Sequence, residues 1–230
     1  MKIGFCGIDG LQPGKIKFND SIVNSLAEKC SPKKTAYYYF EFLENEFRGV
    51  AGIAAARDKA LDVLIPDIEK FESRLTRAGS ETEKKLLARC LRELESEKPL
   101  CDAEFSPDEY RILNALEPVS LKPVLVIDEF TDTGGLIEGI LEKSKMMFFY
   151  TAGPAEVHAW PVRQGSDIVT CAGRIHTDLA RGFIRAEIVS FEDFMACHNM
   201  NDCRKKGVVR LVDRDYIIRR GDIVDIRFNV

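Results

Sequence analysis

Residues 2–6, KIGFC, form a short apolar strand that runs straight into a glycine-punctuated stretch, GIDGLQPGKIKFN. That junction limits the chain more than any other feature, because a strand, a glycine-rich turn and a basic residue are how a backbone is brought up to a phosphate. A phosphate-binding loop reads G-x-x-x-x-G-K-[ST]. Counting back from Gly14-Lys15, Asp9 stands where the first glycine belongs, and Ile16 stands where the hydroxyl residue belongs. The loop keeps Gly7, Gly10, Gly14 and Lys15 but departs from the pattern at two positions that matter for nucleotide binding.

NDSIVNSLAEKC reads as a helix with Ile22, Val23, Leu26 and Ala27 on one face, stopped by Ser31-Pro32. TAYYYFEFL reads as one aromatic-rich strand. RGVAGIAAARDKALDVLIP reads as a helix ending before Pro66. A helical hairpin is expected next. Its first arm, DIEKFESRLTRA, is apolar at Ile68, Phe71 and Leu75, with Gly79 as its C′ residue. The second arm, SETEKKLLARCLRELESE, opens on a Ser80/Glu83 capping pattern and is apolar at Leu86, Leu87, Cys90, Leu91 and Leu94. The remaining faces are charged, as in an antiparallel pair projecting into solvent. Ser106, Pro107 and Glu109 begin another helix. KPVLVIDEF suits a central strand of a parallel sheet, and GGLIEGILEKSK a short helix. From Met146 on, short strands surround one helix-like stretch, FEDFMACHNM, which suggests a small α+β domain.

The 230 residues are enough for one large or two modest domains, and a net charge of −4 does not mark the whole chain as a polyanion binder. Seven scattered cysteines fit a reducing compartment. No apolar run approaches the ~20 residues of a membrane span. The expectation is a cytoplasmic protein with no membrane role.

Three C-terminal segments, FYTAGPAEVHAWPVRQG, AGRIHTDLARGFIRAEIVSFEDF and YIIRRGDIVDIRFNV, resemble in order the TGS domain of the YchF/Obg-like ATPase family. The hairpin and SPDEYRILNALEPVSLKPVLVIDE are similar to that family's helical insertion and following strand. MKIGFCGIDGLQPGKIKFN is similar to its opening strand and P-loop, and residues 20–65 match poorly. The resemblance implies α/β plus α+β: a reduced P-loop-like parallel sheet remnant (1–65 and 118–145), a helical arm (66–117) and a β-grasp, ubiquitin-like TGS domain (146–230). It also implies ATP or GTP hydrolysis and a link to ribosomes and translation.

The chain departs from the family in the part that does chemistry. Aligned to the family loop, one residue is missing before Gly14, and Ile16 and Lys17 replace the hydroxyl pair. Loop N–H groups cradle phosphate only at the right loop length, and Ile16 has no oxygen for Mg²⁺. No Asp-x-x-Gly follows the aromatic strand. Glu129 and Asp132 stand where the family's base-reading Asn-x-x-Glu belongs, and Asp128-Glu129 is read as a coincidental Walker-B-like strand end. Gly10, Gly14 and Lys15 remain the only cofactor-binding candidates, for weak anion binding at most.

No catalytic residue and no metal ligand is assigned: Cys197, His198 and Cys203 match no zinc spacing. His176 is read as a structural hydrogen-bonding residue, and His158 is noted beside Trp160. Partner contact is assigned to Arg181, Arg185, Arg204, Lys205, Lys206, Arg219 and Arg220, although residues 151–230 hold 12 Lys+Arg against 11 Asp+Glu. The expected function is a non-catalytic YchF-like binding protein for a ribosome, RNA or protein partner, without cofactor, with a homodimer as one way to cover sheet edges. The alternative is a residual weak ATP- or GTP-binding protein with Mg²⁺.

Overall fold

The computed structural model describes residues 1–229. In chain order the strands and helices are β1 (Lys2–Cys6), β2 (Gly14–Lys17), α1 (Ser21–Cys30), β3 (Lys34–Ala36), β4 (Tyr39–Glu44), β5 (Gly52–Ala56), α2 (Ala60–Leu75), α3 (Glu81–Glu95), α4 (Pro107–Leu116), β6 (Val124–Ile127) and α5 (Thr133–Lys143). They continue with β7 (Met146–Ala152), β8 (Glu156–Arg163), α6 (Ile168–Ile175), α7 (Thr177–Arg181), β9 (Phe183–Val189), α8 (Phe191–Met195), α9 (Met200–Lys206), β10 (Arg210–Val212) and β11 (Ile223–Phe228). They fall into two compact units. The first is Met1–Ile16 with Phe40–Ser144, and the second is Lys17–Tyr39 with the chain from Lys145 onward. Residues 17–39 therefore group with the C-terminal strands and not with the N-terminal remnant expected over 1–65.

The first unit is built on a five-stranded sheet of order β2-β4-β1-β5-β6. Strands β4, β1, β5 and β6 run parallel, with Ile3 opposite both Phe42 and Gly52, and Ile53 opposite Val124. GIAAA, expected to be helical, is β5. Alanine's helix propensity of a few tenths of a kcal/mol per residue yields to a position between two parallel strands, buried from Gly52 to Ala55. Small side chains are what this position accepts. Ile53 and Ala55 pack with Val63 of α2 on one face. On the other, a Cβ at Gly52 would lie 3.5 Å from Ile140 of α5.

The strand VLVI forms as β6, but at the edge of the sheet rather than its centre. Its first N–H donates to the Cys101 sulfur at 3.3 Å, which partly covers that edge. Pro66 does not stop α2. The buried stripe of Ala60, Val63, Leu64, Asp67 and Phe71 continues through it, and packing holds the helix across the missing N–H. Gly79 lies beyond the Thr76 cap of α2 and outside the left-handed region.

The expected solvent-projecting pair is instead part of a closed helical core. Leu64 and Phe71 of α2 join Leu86, Leu87, Cys90 and Leu94 of α3, Leu113 of α4, and Leu100 and Phe105 between the helices. The fully buried Asp67 carboxylate accepts from the Val119 and Ser120 N–H groups at 2.8 and 2.7 Å and so joins α2 to the segment entering β6. Ser106 and Glu109 complete the capping box read from the sequence.

The second unit carries a six-stranded sheet of order β10-β9-β11-β7-β8-β3. Hairpin β7–β8 is antiparallel, β11 lies parallel to β7 and antiparallel to β9, and β3 adds parallel to β8. TAYYYFEFL is therefore two strands in two sheets, β3 and β4, because Tyr37 and Tyr38 leave the strand conformation between them. Tyr38 packs on Phe148 at 5.3 Å, Phe18 stacks on Phe148 at 5.8 Å, and the Phe18 N–H donates to the Tyr38 carbonyl. Those aromatic contacts tie residues 17–39 to β7. Among the described residues after 165, four short helices, not one, accompany these strands.

Candidate functional site

The loop Gly7–Pro13 leaves the carboxyl end of β1, which is the ligand-binding end of a parallel sheet. Gly7 needs its glycine, since it has φ +65° and an added Cβ would lie 2.3 Å from Lys59 Cγ. The loop turns through a Leu11 N–H to Ile8 carbonyl bond and buries Ile8 and Leu11. The chain then does not enter a helix. Gly14 and Lys15 lie on β2, and α1 begins only at Ser21.

The N-terminus of α1 already holds an anion. Asp20 Oδ1 accepts from the N–H groups of Ile22 at 2.9 Å and Val23 at 3.3 Å, while Oδ2 accepts from the Tyr150 hydroxyl at 2.8 Å. Asp20 is 6% exposed. The free N–H groups and positive dipole end that a helix offers a phosphate are thus engaged by a buried carboxylate. Burial, and the neighbouring Asp20 with its hydrogen bond, push the Tyr150 hydroxyl pKa far up, so this hydroxyl remains a donor. Gly10, Gly14 and Lys15 are close in sequence, but Gly14 and Lys15 continue into strand β2 rather than into a helix.

The acidic positions near the same sheet end are mostly committed. Asp128, after β6, accepts from Arg57 Nε at 2.8 Å, and Arg57 follows β5. That bond and charge hold the Asp128 carboxyl below its usual pKa. Asp132 caps α5 through the Gly135 N–H at 2.9 Å. Glu129 is exposed. Cys6 is buried, and desolvation raises its thiol to about 11, which removes it as a nucleophile at neutral pH.

The basic positions singled out in the sequence are unequal. Arg181 pairs with Asp178 at 3.0 Å, Arg185 with Asp213 at 3.0 Å, and Lys206 with Asp202 at 3.1 Å. Arg204 donates through Nε to Glu187 at 2.8 Å and also pairs with Asp225. Glu187, 4% exposed at its side chain, accepts from Arg227 as well, so it is a buried clamp between two guanidinium groups. Burial opposes ionisation of Glu187, but the bonds and charges of Arg204 and Arg227 outweigh it and hold its pKa down. Among the described residues, Lys205, Arg219 and Arg220 have no side-chain ion pair.

His176 caps α7, its Nδ1 accepting from the Asp178 N–H at 3.1 Å. His158 stacks on Trp160 at 3.7 Å, and desolvation by burial lowers its pKa. Cys197 and Cys203 are buried, and the His198 backbone N–H donates to Asp202. Among the described residues no three His, Cys, Asp or Glu side chains are grouped to hold a metal ion, and no helix is long and apolar enough to cross a membrane.

Sequence reasoning missed Asp20, Asp67 and Glu187. Asp20 had a local signal, an Asp directly before an amphipathic stretch. Asp67 and Glu187 had none, since their partners lie 17 or more residues away in sequence.

The family model YchF-GTPase_C, described as "Protein of unknown function (DUF933)", matches residues 146–229. The Ribosome-binding ATPase YchF of Bacillus subtilis is 25% identical over 339 aligned positions, covering 98% of this chain and 91% of the relative. That is more positions than this chain has residues, so long segments of the relative have no counterpart here. The Mycoplasma genitalium Ribosome-binding ATPase YchF is 31% identical over 106 residues, 46% of this chain and 29% of the relative. Human Obg-like ATPase 1 is 42% identical over 85 residues, 37% of this chain and 22% of the relative. The solved structure of the Schizosaccharomyces pombe YchF GTPase superposes with a TM-score of 0.78 at 17% identity, covering 99% of this chain and 97% of that one.

Proposed function

We propose, on the premise that this chain belongs to the YchF/Obg-like ATPase family, that it is a non-catalytic member. In this reading it binds a ribosome through its C-terminal unit and turns over no nucleoside triphosphate. The observation that carries this is the Asp20 carboxylate seated on the first N–H groups of α1. A phosphate seated at the N-terminus of α1 would have to displace it, against both the charge of Asp20 and its bond to Tyr150.

The residues present do not fit a magnesium nucleotide. Lys15 is on a strand, and Ile16 offers no oxygen to the metal. Relatives named as ribosome-binding supply the partner class. The order of β7, β8, α6, β9 and β11, with β11 parallel beside β7, supports a TGS-like β-grasp reading of the second unit. Phosphate contact falls first on Lys205, Arg219 and Arg220, which have no ion pair among the described residues. The exposed pairs of Arg181 and Arg185 are worth about 0–1 kcal/mol each and exchange readily.

Phosphate release from ATP and GTP with Mg²⁺ tests the claim of lost turnover. The expected result is no release above background. Mg²⁺-dependent release that Lys15→Ala abolishes would overturn it and leave the alternative, a residual ATPase.

A further inference from the structure

We infer that the first unit carries a second, unassigned binding site, at the sheet end opposite the glycine loop, for a small phosphate-bearing molecule. Strands β1, β5 and β6 are parallel, and Cys6 stands opposite Ala55. The glycine loop therefore lies where these strands finish. At the other end, just before β5 and β6 begin, a cleft of about 700 Å³ opens. Its cations are Arg48, Lys70 and Lys122, against Glu117 as the one carboxylate in its wall.

The three cations arrive from three different segments, and none is neutralised by a carboxylate bond. Lys70 Nζ donates at 3.0 Å to each of the Leu116 and Glu117 carbonyls at the end of α4. Lys122 Nζ donates at 2.8 Å to the Phe47 carbonyl. These carbonyl acceptors fix the ammonium groups in place without pairing either of them to a carboxylate. Desolvation by burial lowers the Lys122 pKa, opposed by Asp67, Glu117 and Glu46, so an anion placed there would be favoured further. Asp67 is not in the cleft wall, and its oxygens are occupied by two backbone N–H groups. Glu46 accepts from the Arg48 N–H at 3.1 Å.

Arg48 itself is exposed and has no side-chain partner among the described residues. A guanidinium fork and two anchored ammonium groups over one cleft match a group with several anionic oxygens better than a single carboxylate. Val50, Pro118, Val119 and Leu121 supply an apolar wall, and Asn114 an amide. The occupant that uses all of these is a phosphate or pyrophosphate joined to a less polar moiety.

Titration calorimetry of the full chain with inorganic pyrophosphate, without Mg²⁺, tests the site. The expected result is saturable binding that weakens as salt rises. Arg48→Ala should weaken it tenfold or more, and Arg48→Glu should abolish it. Because Arg48 is exposed, both variants should keep the parent circular dichroism and melting temperature. Lys122→Met is the second probe and should weaken binding similarly. Lys15→Ala should leave binding within twofold, which separates this cleft from the glycine loop. No binding at 10 mM pyrophosphate, or binding that either Arg48 variant leaves intact, would overturn the inference.

Discussion

Replacing Asp20 with alanine removes three hydrogen bonds at once: those from the Ile22 and Val23 N–H groups and from the Tyr150 hydroxyl. Loss of an N-cap acceptor costs about 0.5–2 kcal/mol. Leaving a buried hydroxyl without its acceptor adds about 1–3 kcal/mol. Asp20→Ala is therefore expected to destabilise the second unit by roughly 2–4 kcal/mol. Asp20→Asn, which keeps an accepting oxygen, should cost less than half of that. The chain has a single tryptophan, Trp160 on β8, so urea unfolding followed by its fluorescence reports this unit.

A double-mutant cycle isolates the buried bond. Tyr150→Phe removes the stranded hydroxyl, so the double variant should be more stable than the sum of the two losses implies, with a coupling of about 0.5–3 kcal/mol. An Asp20→Ala loss below ~0.5 kcal/mol, with no coupling to Tyr150, would refute the reasoning. The helix end would then not depend on this carboxylate, and its N–H groups would be open to another anion.

Asp67→Ala should cost about 2–4 kcal/mol in the first unit, because two buried N–H groups lose their acceptor; hydrogen exchange at Val119 and Ser120 should accelerate together with the loss. Glu187 has a folded-state pKa held down by Arg204 and Arg227. The stability it adds is therefore present above the unfolded carboxyl pKa and lost as pH falls below it. The advantage of the parent over Glu187→Gln in urea melts should be full near pH 7 and shrink on acidification from pH 5 toward 3. Reversing Lys205, Arg219 and Arg220 to Glu together should reduce ribosome association in co-sedimentation with the melting temperature unchanged, whereas Arg204→Glu should also lower stability by leaving buried Glu187 short of a partner.

Much of the local structure could be read from the chain because local rules decided it. The caps at Ser80 and Ser106, the amphipathic faces of α1 and α3, and the apolar runs of β1 and β6 lie within a few residues of their causes. What could not be read was decided by partners distant in sequence. GIAAA becomes a strand because β1 and β6 flank it and α2 and α5 need small residues beneath them. Pro66 sits inside α2 because the apolar stripe on either side of it is buried. VLVI looks central by composition yet stands at an edge, where Cys101 takes its first N–H.

The candidate site followed the same division. The mismatches at Asp9 and Ile16 were visible in the sequence, since a motif is a local spacing. That Asp20 fills the end of α1 with Tyr150 as its third partner was not visible, because the two residues are 130 positions apart. The basic cluster also looked more uniform than it is. Counting Arg and Lys cannot show that Arg204 is held by Glu187 and Asp225 while Arg219 and Arg220 have no ion pair among the described residues.

The central claim is ribosome binding without a working nucleotide loop. Co-sedimentation with ribosomes from the source cell, comparing the parent chain with Lys15→Ala at low and high salt, with and without added nucleotide, tests it directly. Both proteins are expected to pellet equally at low salt, with a marked loss at high salt, as phosphate contacts require. No pelleting at either salt, or pelleting that needs both added nucleotide and Lys15, would contradict it.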